Sequence, residues 1–391
     1  MKIEISREVL SSGIQAVLDI VPSKTSLPIL SNILIDANES KGVSLSATDL
    51  DISITCSLDA SIEEPGSTTV PARKFSEIVR ELPEGDITLQ SSDGRVSIQR
   101  QDGVEGSYAL MSVPADDFPE LPKEIDGPSM QFPESEDEVQ GNSLSLMVTK
   151  TAFAVSRDET RPVLNGVLWQ VGEGRMTMVA TDGHRLVKFS KAVSDAPEGE
   201  TEAIVPPRAL NHLVKLMTSG SRLDRVQFGQ SHLMFDLTST NSASGKGEIH
   251  LCSRLIEGPF VDYEQVIPQS NQKRLKISND LLTPAVRRVS VLASSQTHQL
   301  RFKLQENEVE LSASSQEIGG EARERVTADY EDEEMTIGYN STYLQDVLRR
   351  IESEEVTFEL DSAVSAGIIR PSEQPEGEDY LCLLMPLRLN E

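Results

Sequence analysis

MTMVATDGHRLVKF, residues 176–189, alternates apolar and polar side chains on both sides of a central Thr-Asp-Gly sequence. An earlier stretch, LSATDLDISITC at 45–56, has the same form. The period-2 alternation predicts half-buried strands, and Asp-Gly predicts the turn that joins two of them. Many short strands of this kind with few helices predict an α+β fold with antiparallel sheets, rather than a parallel nucleotide-binding sheet.

The Ala-Thr-Asp triplet belongs to an internal repeat. ATD at 47–49 recurs at 180–182 and, more weakly, as ASS at 313–315, at intervals of roughly 130 residues. Two further units repeat at similar intervals: TVPARKFSEIVREL (69–82), IVPPRALNHLVKLM (204–217) and IGYNSTYLQDVLRR (337–350), and the strand-to-helix segments that begin at Ile3, Leu146 and Leu275. Units of this length can close their own cores, so the repeat favours three similar globular domains over a solenoid.

The joints between the repeats set the domain boundaries. Residues 123–142 are rich in Pro, Gly and acidic residues and show no periodicity, which predicts a linker. The second joint, near VIPQSNQK at 266–273, is short. We therefore place the first domain at 1–122, the second at 143–268, and the third at 269–391, where the C-terminal tail is included.

Charge is the unusual feature of the composition. The chain has 391 residues, 38% hydrophobic and 25% charged, with a formal net charge of −27. Spread evenly, such a charge would repel nucleic acid and anionic membranes. Five of the six predicted helices nevertheless carry a net positive charge, the exception being the first; the six are 7–21, 72–82, 149–157, 207–217, 279–292 and 341–351. A structure that gathered these faces would have a basic lining inside an acidic shell.

The sequence predicts a cytoplasmic location. MKIEISREVL at the start has no apolar core of a secretion signal, and no apolar run approaches the length that spans a bilayer. The three cysteines, Cys56, Cys252 and Cys382, lie far apart among apolar or strand-like neighbours. This placement predicts buried free thiols in a reducing compartment.

Motifs for catalysis are sparse. The sequence has no Walker-type loop, no GxGxxG after a strand, no HExxH and no CxxC pair. Asp182 and His184 are two residues apart, so on a strand they would share a face and could bind a metal or act as an acid–base pair. The simpler interpretation is a hairpin turn fixed by its own polar side chains. No second cluster completes a site, so we predict neither a catalytic centre, nor a metal, nor a cofactor.

The end of the chain, YLCLLMPLRLNE at 380–391, is an apolar strand followed by Pro386 and then an apolar–basic alternation. A last core strand explains its apolar part. Leu387 and Leu389 lie beyond the proline, where a strand tends to leave its sheet and can line a peptide groove.

Several segments together resemble the bacterial DNA sliding clamp, the beta subunit of the replicative DNA polymerase. They are SLPIL (26–30), PGSTTVPARKF (65–75), DFPEL (117–121), LNG (164–166), ATDGHRL (180–186) and MPLRL (385–389), which follow the family's order over nearly the whole chain. The resemblance implies three similar domains with antiparallel sheets outside and helices inside. Two chains would close head to tail into a ring-shaped homodimer.

The resemblance also implies the function. The expected protein is a non-catalytic processivity factor, located in the cytoplasm with the nucleoid, that encircles duplex DNA without reading its sequence. Its expected partners are the replicative polymerase, the clamp-loader ATPase, repair polymerases and other clamp-motif proteins, and a second copy of itself, with no membrane partner.

Residue roles carry over where the residues match the family. The implied partner-peptide pocket comprises Leu164, Thr181, Gly183, His184, Arg185, Leu186, Val266, Asn340, Tyr343, Val364, Met385, Pro386, Leu387 and Arg388. The implied DNA contacts are Lys24, Arg73, Lys74, Arg80, Lys150, Arg157, Arg208 and Lys215. The implied dimer interface places Tyr108 and Leu110 of one chain against Val291 and Leu292 of the other.

Some positions depart from the family. Val261 stands where the family often has proline, Gln265 stands where some relatives have arginine, and Asn390-Glu391 extends the usual Arg-Leu end. The acidic linker at 123–142 is longer than usual. Two alternatives stay open on the residues: a peptide-binding scaffold unrelated to DNA, and a metal-dependent hydrolase that uses Asp182 and His184.

Overall fold

Four antiparallel sheets and six α-helices make up the part of the chain that the computed structural model describes, which is residues 1–100, 106–132, 138–193, 196, 199–239, 247–317 and 319–389. The helices are α1 (Arg7–Leu18), α2 (Ala72–Glu81), α3 (Glu138–Thr151), α4 (Pro207–Thr218), α5 (Asn279–Ser290) and α6 (Ser341–Leu348). The strands are β1 (Lys2–Ser6), β2 (Asn32–Asn38), β3 (Gly42–Thr48), β4 (Ile52–Leu58), β5 (Ser61–Glu64), β6 (Gly66–Pro71), β7 (Asp86–Ser92), β8 (Arg95–Arg100), β9 (Ser107–Met111), β10 (Ser129–Gln131), β11 (Val167–Gly172), β12 (Arg175–Thr181), β13 (Arg185–Ala192), β14 (Thr201–Val205), β15 (Ser221–Phe228), β16 (His232–Ser239), β17 (Glu248–Arg254), β18 (Lys273–Ser278), β19 (Gln299–Gln305), β20 (Glu308–Ser315), β21 (Gly320–Thr327), β22 (Met335–Asn340), β23 (Glu355–Leu360), β24 (Gly367–Pro371) and β25 (Glu378–Leu384).

Packing divides the chain into two units that do not coincide with the sequence repeats. The first unit is Met1–Ser145 with Arg208–Leu255, and the second is Leu146–Pro207 with Ile256–Glu391. The first unit holds a five-stranded sheet, β5-β1-β7-β8-β9, and an eight-stranded sheet, β10-β15-β16-β17-β4-β3-β2-β6. The second holds an eight-stranded sheet, β14-β11-β12-β13-β25-β24-β23-β18, and a four-stranded sheet, β21-β20-β19-β22.

Each eight-stranded sheet is built from two successive sequence repeats. In the first unit β4 pairs with β17, and in the second unit β13 pairs with β25, both antiparallel. The middle repeat therefore gives β15–β17 to one sheet and β11–β14 to the other. This sharing explains why the compact units cut through the middle repeat.

Helix α2 forms within its predicted range, 72–82, and buries one apolar face. Phe75 and Val79 of α2, four residues apart, are buried while Arg73 and Lys74 are exposed. The N-terminus of α1 is capped by Ser6, whose hydroxyl accepts the Val9 N–H at 3.3 Å. Among the described residues, no helix is long and apolar enough to cross a membrane.

The segment from 123 to 157 differs from its prediction. Ser129–Gln131 is a strand that pairs with β15. Met130 within this strand and Phe132 just after it are buried, so part of the predicted linker belongs to a sheet. Alternation over Met130 and Phe132 alone was too short to reveal this. The helix predicted at 149–157 ends at Thr151 and is followed by a 3-10 turn at Ala152–Ala154. Beyond this turn the chain is extended, and the Ser156 N–H donates to the Leu164 carbonyl. Residues 133–137 of the predicted linker lie outside the described residues.

All three cysteines are free and buried, as predicted. Burial raises the pKa of Cys252 to about 11 and those of Cys56 and Cys382 to about 12. Each thiol is therefore protonated near neutral pH and serves as a small apolar side chain.

In the core of the third repeat, a glycine lies very close to a buried tyrosine hydroxyl. The Tyr339 hydroxyl is fully buried and has no hydrogen-bond partner among the described residues. Gly367 lies against it, since a Cβ added at Gly367 would come within 2.6 Å of the hydroxyl oxygen and 2.9 Å of Leu360 Cδ2. The glycine is thus required by close approach of the tyrosine.

We predict opposite effects for two substitutions at this contact. Tyr339→Phe removes an unsatisfied buried hydroxyl and should raise the free energy of unfolding by about 1 kcal/mol. Gly367→Ala should lower it by about 1–3 kcal/mol through overpacking. In the double variant the alanine should cost less than it does alone, because the phenylalanine lacks the clashing oxygen. Thermal denaturation of the four proteins measures this coupling, and strictly additive shifts would contradict it.

Candidate functional site

The turn between β12 and β13 is fixed by its own side chains. The Thr181 hydroxyl donates to the Arg185 carbonyl at 2.7 Å and accepts the Gly183 N–H at 3.1 Å. Asp182 Oδ1 accepts the N–H groups of His184 and Arg185 at 2.9 and 3.0 Å. Gly183 has φ 89°, a conformation that favours glycine. The result is a rigid rim on which Gly183 and His184 are exposed.

The first repeat contains the same turn between β3 and β4. The Thr48 hydroxyl donates to the Ile52 carbonyl at 2.9 Å and accepts the Leu50 N–H at 3.0 Å. Asp49 Oδ1 accepts the N–H groups of Asp51 and Ile52 at 3.1 and 2.7 Å. Leu50 takes the glycine position with φ 82° and is exposed. The repeat seen in the sequence is therefore a repeat of hydrogen bonds.

The hydrogen bonds of the second-repeat turn hold the Asp182 carboxylate in place. Besides the two backbone N–H groups on Oδ1, its Oδ2 accepts Arg185 Nε at 3.1 Å. Within the described ranges no group of three or more His, Cys, Asp or Glu side chains is placed to hold a metal ion. The turn thus gives Asp182 a structural role, and the hydrolase alternative gains no support from the geometry.

Arg185 was predicted in the peptide pocket, and the structure places it beneath the rim. Its side chain is only 8% exposed. Its guanidinium donates to Asp346 Oδ2 and to the Phe153 carbonyl, both at 2.9 Å, in addition to Asp182. The same group lies 4.4 Å from the ring centroid of Tyr343. These contacts occupy the planar donors of Arg185, so its side chain lies beneath the turn and is not free to contact a peptide.

A second arginine completes this layer. The Arg350 guanidinium lies 4.1 Å from the ring centroid of Phe153, and its Nε donates to the Thr149 carbonyl at 3.2 Å. Burial lowers the pKa of Arg350, which nevertheless stays charged because its ordinary pKa is so high. The Arg185 and Arg350 guanidinium groups, which each lie over the Phe153 ring, therefore connect the C-terminal end of α3 in the second repeat to α6 in the third.

The C-terminal tail lies along the same surface. The Met385 N–H donates to the His184 carbonyl at 2.9 Å, and the Leu387 N–H donates to the Gly338 carbonyl at 2.8 Å. A Cβ at Gly338 would come within 2.7 Å of Leu389 Cδ2, so this glycine lets the tail approach β22. Gln299 Nε2 donates to the Arg388 carbonyl at 3.3 Å. The tail past Pro386 thus leaves its sheet, as predicted, and packs beside the third repeat.

Three apolar side chains of the implied pocket are exposed. Val266 is 55% exposed, Val364 71% and Met385 42%. Their chain neighbours Ile267 and Ala366 pack against a buried cluster of Leu168, Val179, Leu186, Ile204, Tyr263, Ile368, Leu381 and Leu383. The exposed residues therefore form the outer lip of a well-packed core.

The other predicted pocket residues divide into two groups by burial. Leu164, Thr181 and Leu186 are buried. Asn340 and Tyr343 are half-buried, and Asn340 Oδ1 caps α6 by accepting the Thr342 and Tyr343 N–H groups at 2.9 and 3.3 Å. Pro386 and Leu387 are half-buried and Arg388 is exposed.

The positions that depart from the family lie near this surface. Phe260 packs on the buried cluster while Val261 is exposed. Gln265 Nε2 donates to Asp262 Oδ2 at 2.6 Å, which ties it to its own loop. Asn390 and Glu391 lie outside the described residues.

The predicted DNA-contact residues differ in exposure and in their ion-pair partners. Lys24, Arg73 and Arg157 are exposed. Lys74 is exposed and pairs with Glu77 at 2.6 Å, and Arg80 is exposed and pairs with Glu81 at 3.4 Å. Arg157 follows α3 in an extended segment rather than lying on a helix. Such exposed pairs are weak and leave the cations available to other anions.

Lys150 requires a correction. It is 8% exposed, and its ammonium lies 5.6 and 5.4 Å from the ring centroids of Phe189 and Tyr380 and 3.7 Å from Glu352. Burial between two aromatic rings withdraws this charge from a phosphate backbone. The family resemblance implied a DNA contact for Lys150, and the sequence alone does not show which helix face the aromatic rings cover.

Arg208 and Lys215 are exposed by about half but already have acidic partners. Arg208 pairs with the Asp49 carboxylate and Lys215 with the Asp19 carboxylate. The sequence did not reveal these pairs, because the partners are far apart along the chain.

The residues predicted at the dimer interface lie at two exposed edges. Tyr108 and Leu110 are on β9, the edge strand of the five-stranded sheet, with Tyr108 exposed and Leu110 half-buried. Val291, just past α5, is 75% exposed, and Leu292 is half-buried. Met111, which the sequence analysis missed, is 76% exposed at the end of the same edge strand.

Comparison with known proteins gives a consistent family. Three models match in chain order: the N-terminal domain of the DNA polymerase III beta subunit at residues 1–122, the central domain at 138–262 and the C-terminal domain at 264–388. The beta sliding clamp of Caulobacter vibrioides is 34% identical over 396 residues, and that of Escherichia coli K12 is 31% identical over 391, each alignment covering 100% of both chains.

Solved structures agree. The DNA polymerase III subunit beta of Pseudomonas aeruginosa superposes with a TM-score of 0.87 at 28% identity, covering 100% of both chains. A sliding clamp from Bartonella birtlesii bound to griselimycin gives a TM-score of 0.87 at 30% identity, again over 100% of both chains. The predicted three-domain clamp fold is confirmed, and the chain belongs to the bacterial beta sliding clamp family, the beta subunit of DNA polymerase III.

Proposed function

We propose that this chain is a DNA sliding clamp whose two copies close head to tail around duplex DNA and tether a polymerase. The observation that carries the proposal is the ordered match of all three domain models to a chain that repeats itself three times. The family is one of non-catalytic processivity factors, in agreement with the prediction that the chain is not an enzyme. Neither the scaffold nor the hydrolase alternative is favoured by these similarities.

The tether would act through effective concentration. A weak peptide contact becomes intramolecular once the clamp surrounds the DNA, which is worth about 10²–10⁴-fold in avidity with no new contact. Sliding needs contacts to phosphates rather than to base edges. Lys24, Arg73, Lys74, Arg80 and Arg157 are exposed, which supports this role for them.

The proposed partners are the replicative polymerase, the clamp loader and repair polymerases that share a short Gln- and Leu-containing motif. The location we propose is the cytoplasm, at the nucleoid. The domains we propose are 1–122, 143–268 and 269–391, joined by the acidic segment 123–142. The second copy would bring Val291 and Leu292 to Tyr108 and Leu110.

The peptide groove we propose has a lip and a support. The lip comprises the exposed or half-exposed residues Gly183, His184, Val266, Asn340, Tyr343, Val364, Met385, Pro386, Leu387 and Arg388. Apolar lip residues suit a leucine side chain, and the His184 and Asn340 side chains suit the polar part of a peptide. The support comprises Leu164, Thr181, Arg185 and Leu186, all buried.

Topological attachment to DNA tests the ring. After loading onto a nicked circular plasmid with the clamp-loader ATPase, the clamp should stay bound at high salt and leave when the plasmid is linearised. Salt screens phosphate contacts but does not open a closed ring. Equal loss from circular and linear DNA would contradict encirclement and favour ordinary electrostatic binding.

The two copies of the turn provide a matched test of the groove. Gly183→Leu should abolish binding of a Gln- and Leu-containing peptide while the protein stays folded. Leu50 shows that leucine is accommodated at φ 82° in the same hydrogen-bonded turn, but at Gly183 the side chain would stand on the groove's rim, where a Cβ lies 3.4 Å from Arg161 Nη1.

The reciprocal change is the control. Leu50→Gly should leave peptide affinity unchanged and keep or raise the melting temperature, since it relieves a leucine at positive φ. Fluorescence anisotropy with a labelled peptide measures the affinities. Unaltered binding by a folded Gly183→Leu variant would show that the peptide does not cross this rim.

A further inference from the structure

Helix α4 presents three nitrogen-bearing side chains along one face to the end of α1. Arg208 pairs with the Asp49 carboxylate, and its Nη2 also donates to the Asp19 and Ile20 carbonyls at 3.2 and 3.1 Å. Those carbonyls follow the C-terminus of α1, where the helix dipole is negative and attracts a cation.

The other two side chains continue the same face. His212 is 6% exposed, and its Nε2 lies 3.1 Å from the Ala16 carbonyl. Burial lowers the pKa of His212, so it is neutral near pH 7 and can donate to this carbonyl. Lys215 pairs with the Asp19 carboxylate. The spacing 208, 212, 215 is the i, i+4, i+7 pattern of a single helix face.

The duplicated turn explains why Asp49 reaches this face. In the second repeat, Asp182 Oδ2 is taken by Arg185 of the same turn. The corresponding position in the first repeat is Ile52, which has no donor in its side chain. Asp49 Oδ1 is held by the turn, its side chain is 11% exposed, and Oδ2 is directed to Arg208. Asp49 is therefore a fixed carboxylate rather than a mobile surface acid.

The cations stay partly open to solvent. The Arg208 side chain is 50% exposed and that of Lys215 57%, so each has one side against a carboxylate and another toward water. A phosphate that approaches them meets charges that are already neutralised. It must either displace a carboxylate or accept a weaker, shared contact.

We propose that Asp49 and Asp19 are internal counter-ions that weaken the grip of Arg208 and Lys215 on a DNA phosphate, and so determine how tightly this protein holds a duplex. The inference rests on the proposed function, since it assumes that the basic face of α4 meets DNA. Asp49 and Asp19 are then determinants of duplex affinity. A contact that exchanges readily between carboxylate and phosphate suits a protein that must move along the backbone.

Duplex binding by isosteric variants tests the proposal. Asp49→Asn keeps the oxygen that holds the turn but loses the ion pair, so Arg208 becomes available to a phosphate. At low salt we expect about three- to tenfold tighter binding of a labelled 30-base-pair duplex in fluorescence anisotropy. The slope of log K against log salt should steepen by about 0.9, the value for one additional phosphate contact. Asp19→Asn should act in the same direction but less strongly, since its carboxylate is more exposed.

Two controls separate this effect from a general change of charge. Glu39→Gln alters the net charge equally, in the exposed turn between β2 and β3, and should leave the affinity and slope at the wild-type values. Adding Arg208→Gln to Asp49→Asn should remove the gain. Thermal melting curves establish that each variant is folded before its affinity is compared.

The possible results separate the counter-ion role from the proposed function. Tighter binding by Asp49→Asn that requires Arg208 supports the counter-ion role. If the wild type binds duplex and a folded Asp49→Asn variant binds no more tightly, or if the gain survives Arg208→Gln, the counter-ion role is overturned while the proposed function stands. If neither the wild type nor the Asp49→Asn variant binds the linear duplex even at low salt, the counter-ion role is overturned. The proposed function fails separately, only if the loaded clamp leaves circular and linear DNA alike.

Discussion

Two backbone ladders, β4 with β17 in the first unit and β13 with β25 in the second, hold the strands of successive repeats together within each unit. In the first, Ile54 pairs with Leu251, and in the second Val187 pairs with Cys382; all four residues are buried. Opening either ladder would leave peptide groups unpaired in an apolar layer, which is costly. Successive repeats are therefore joined as continuous sheet rather than by a flexible hinge.

The proposed peptide groove and the Asp49–Arg208 ion pair lie near the ends of these ladders. At the end of one, the Arg254 N–H donates to the Asp51 carbonyl at 2.7 Å; at the end of the other, the Met385 N–H donates to the His184 carbonyl at 2.9 Å. The backbone framework is the same at both places, and the side chains differ. Gly183, Val266, Val364 and Met385 form an exposed lip at one, whereas the other carries Leu50 and an aspartate committed to Arg208. The same turn thus carries the rim of the proposed groove in the second repeat and the proposed counter-ion Asp49 in the first.

Sequence reasoning succeeded where local pattern controls the structure. The internal repeat located α2 and α4 to within one residue at each end, and the repeated Ala-Thr-Asp triplet anticipated the duplicated turn. It failed where distant residues decide. The pairing of Arg208 with Asp49, the burial of Lys150 between Phe189 and Tyr380, and the burial of Arg185 against Asp346 all depend on which strands become neighbours. Strand β10 was missed because a three-residue strand carries too little alternation to be recognised.

The proposed ring around duplex DNA is closed by two copies of the chain, so the protein must form a dimer. Sedimentation velocity at micromolar concentration measures this directly. The account predicts a species of twice the 42.9 kDa chain mass. Val291→Arg, on the proposed interface, should convert the dimer to monomer. Leu281→Arg, at an apolar position on α5 that is 51% exposed, should not. A wild-type protein that sediments strictly as a 42.9 kDa monomer would contradict the account.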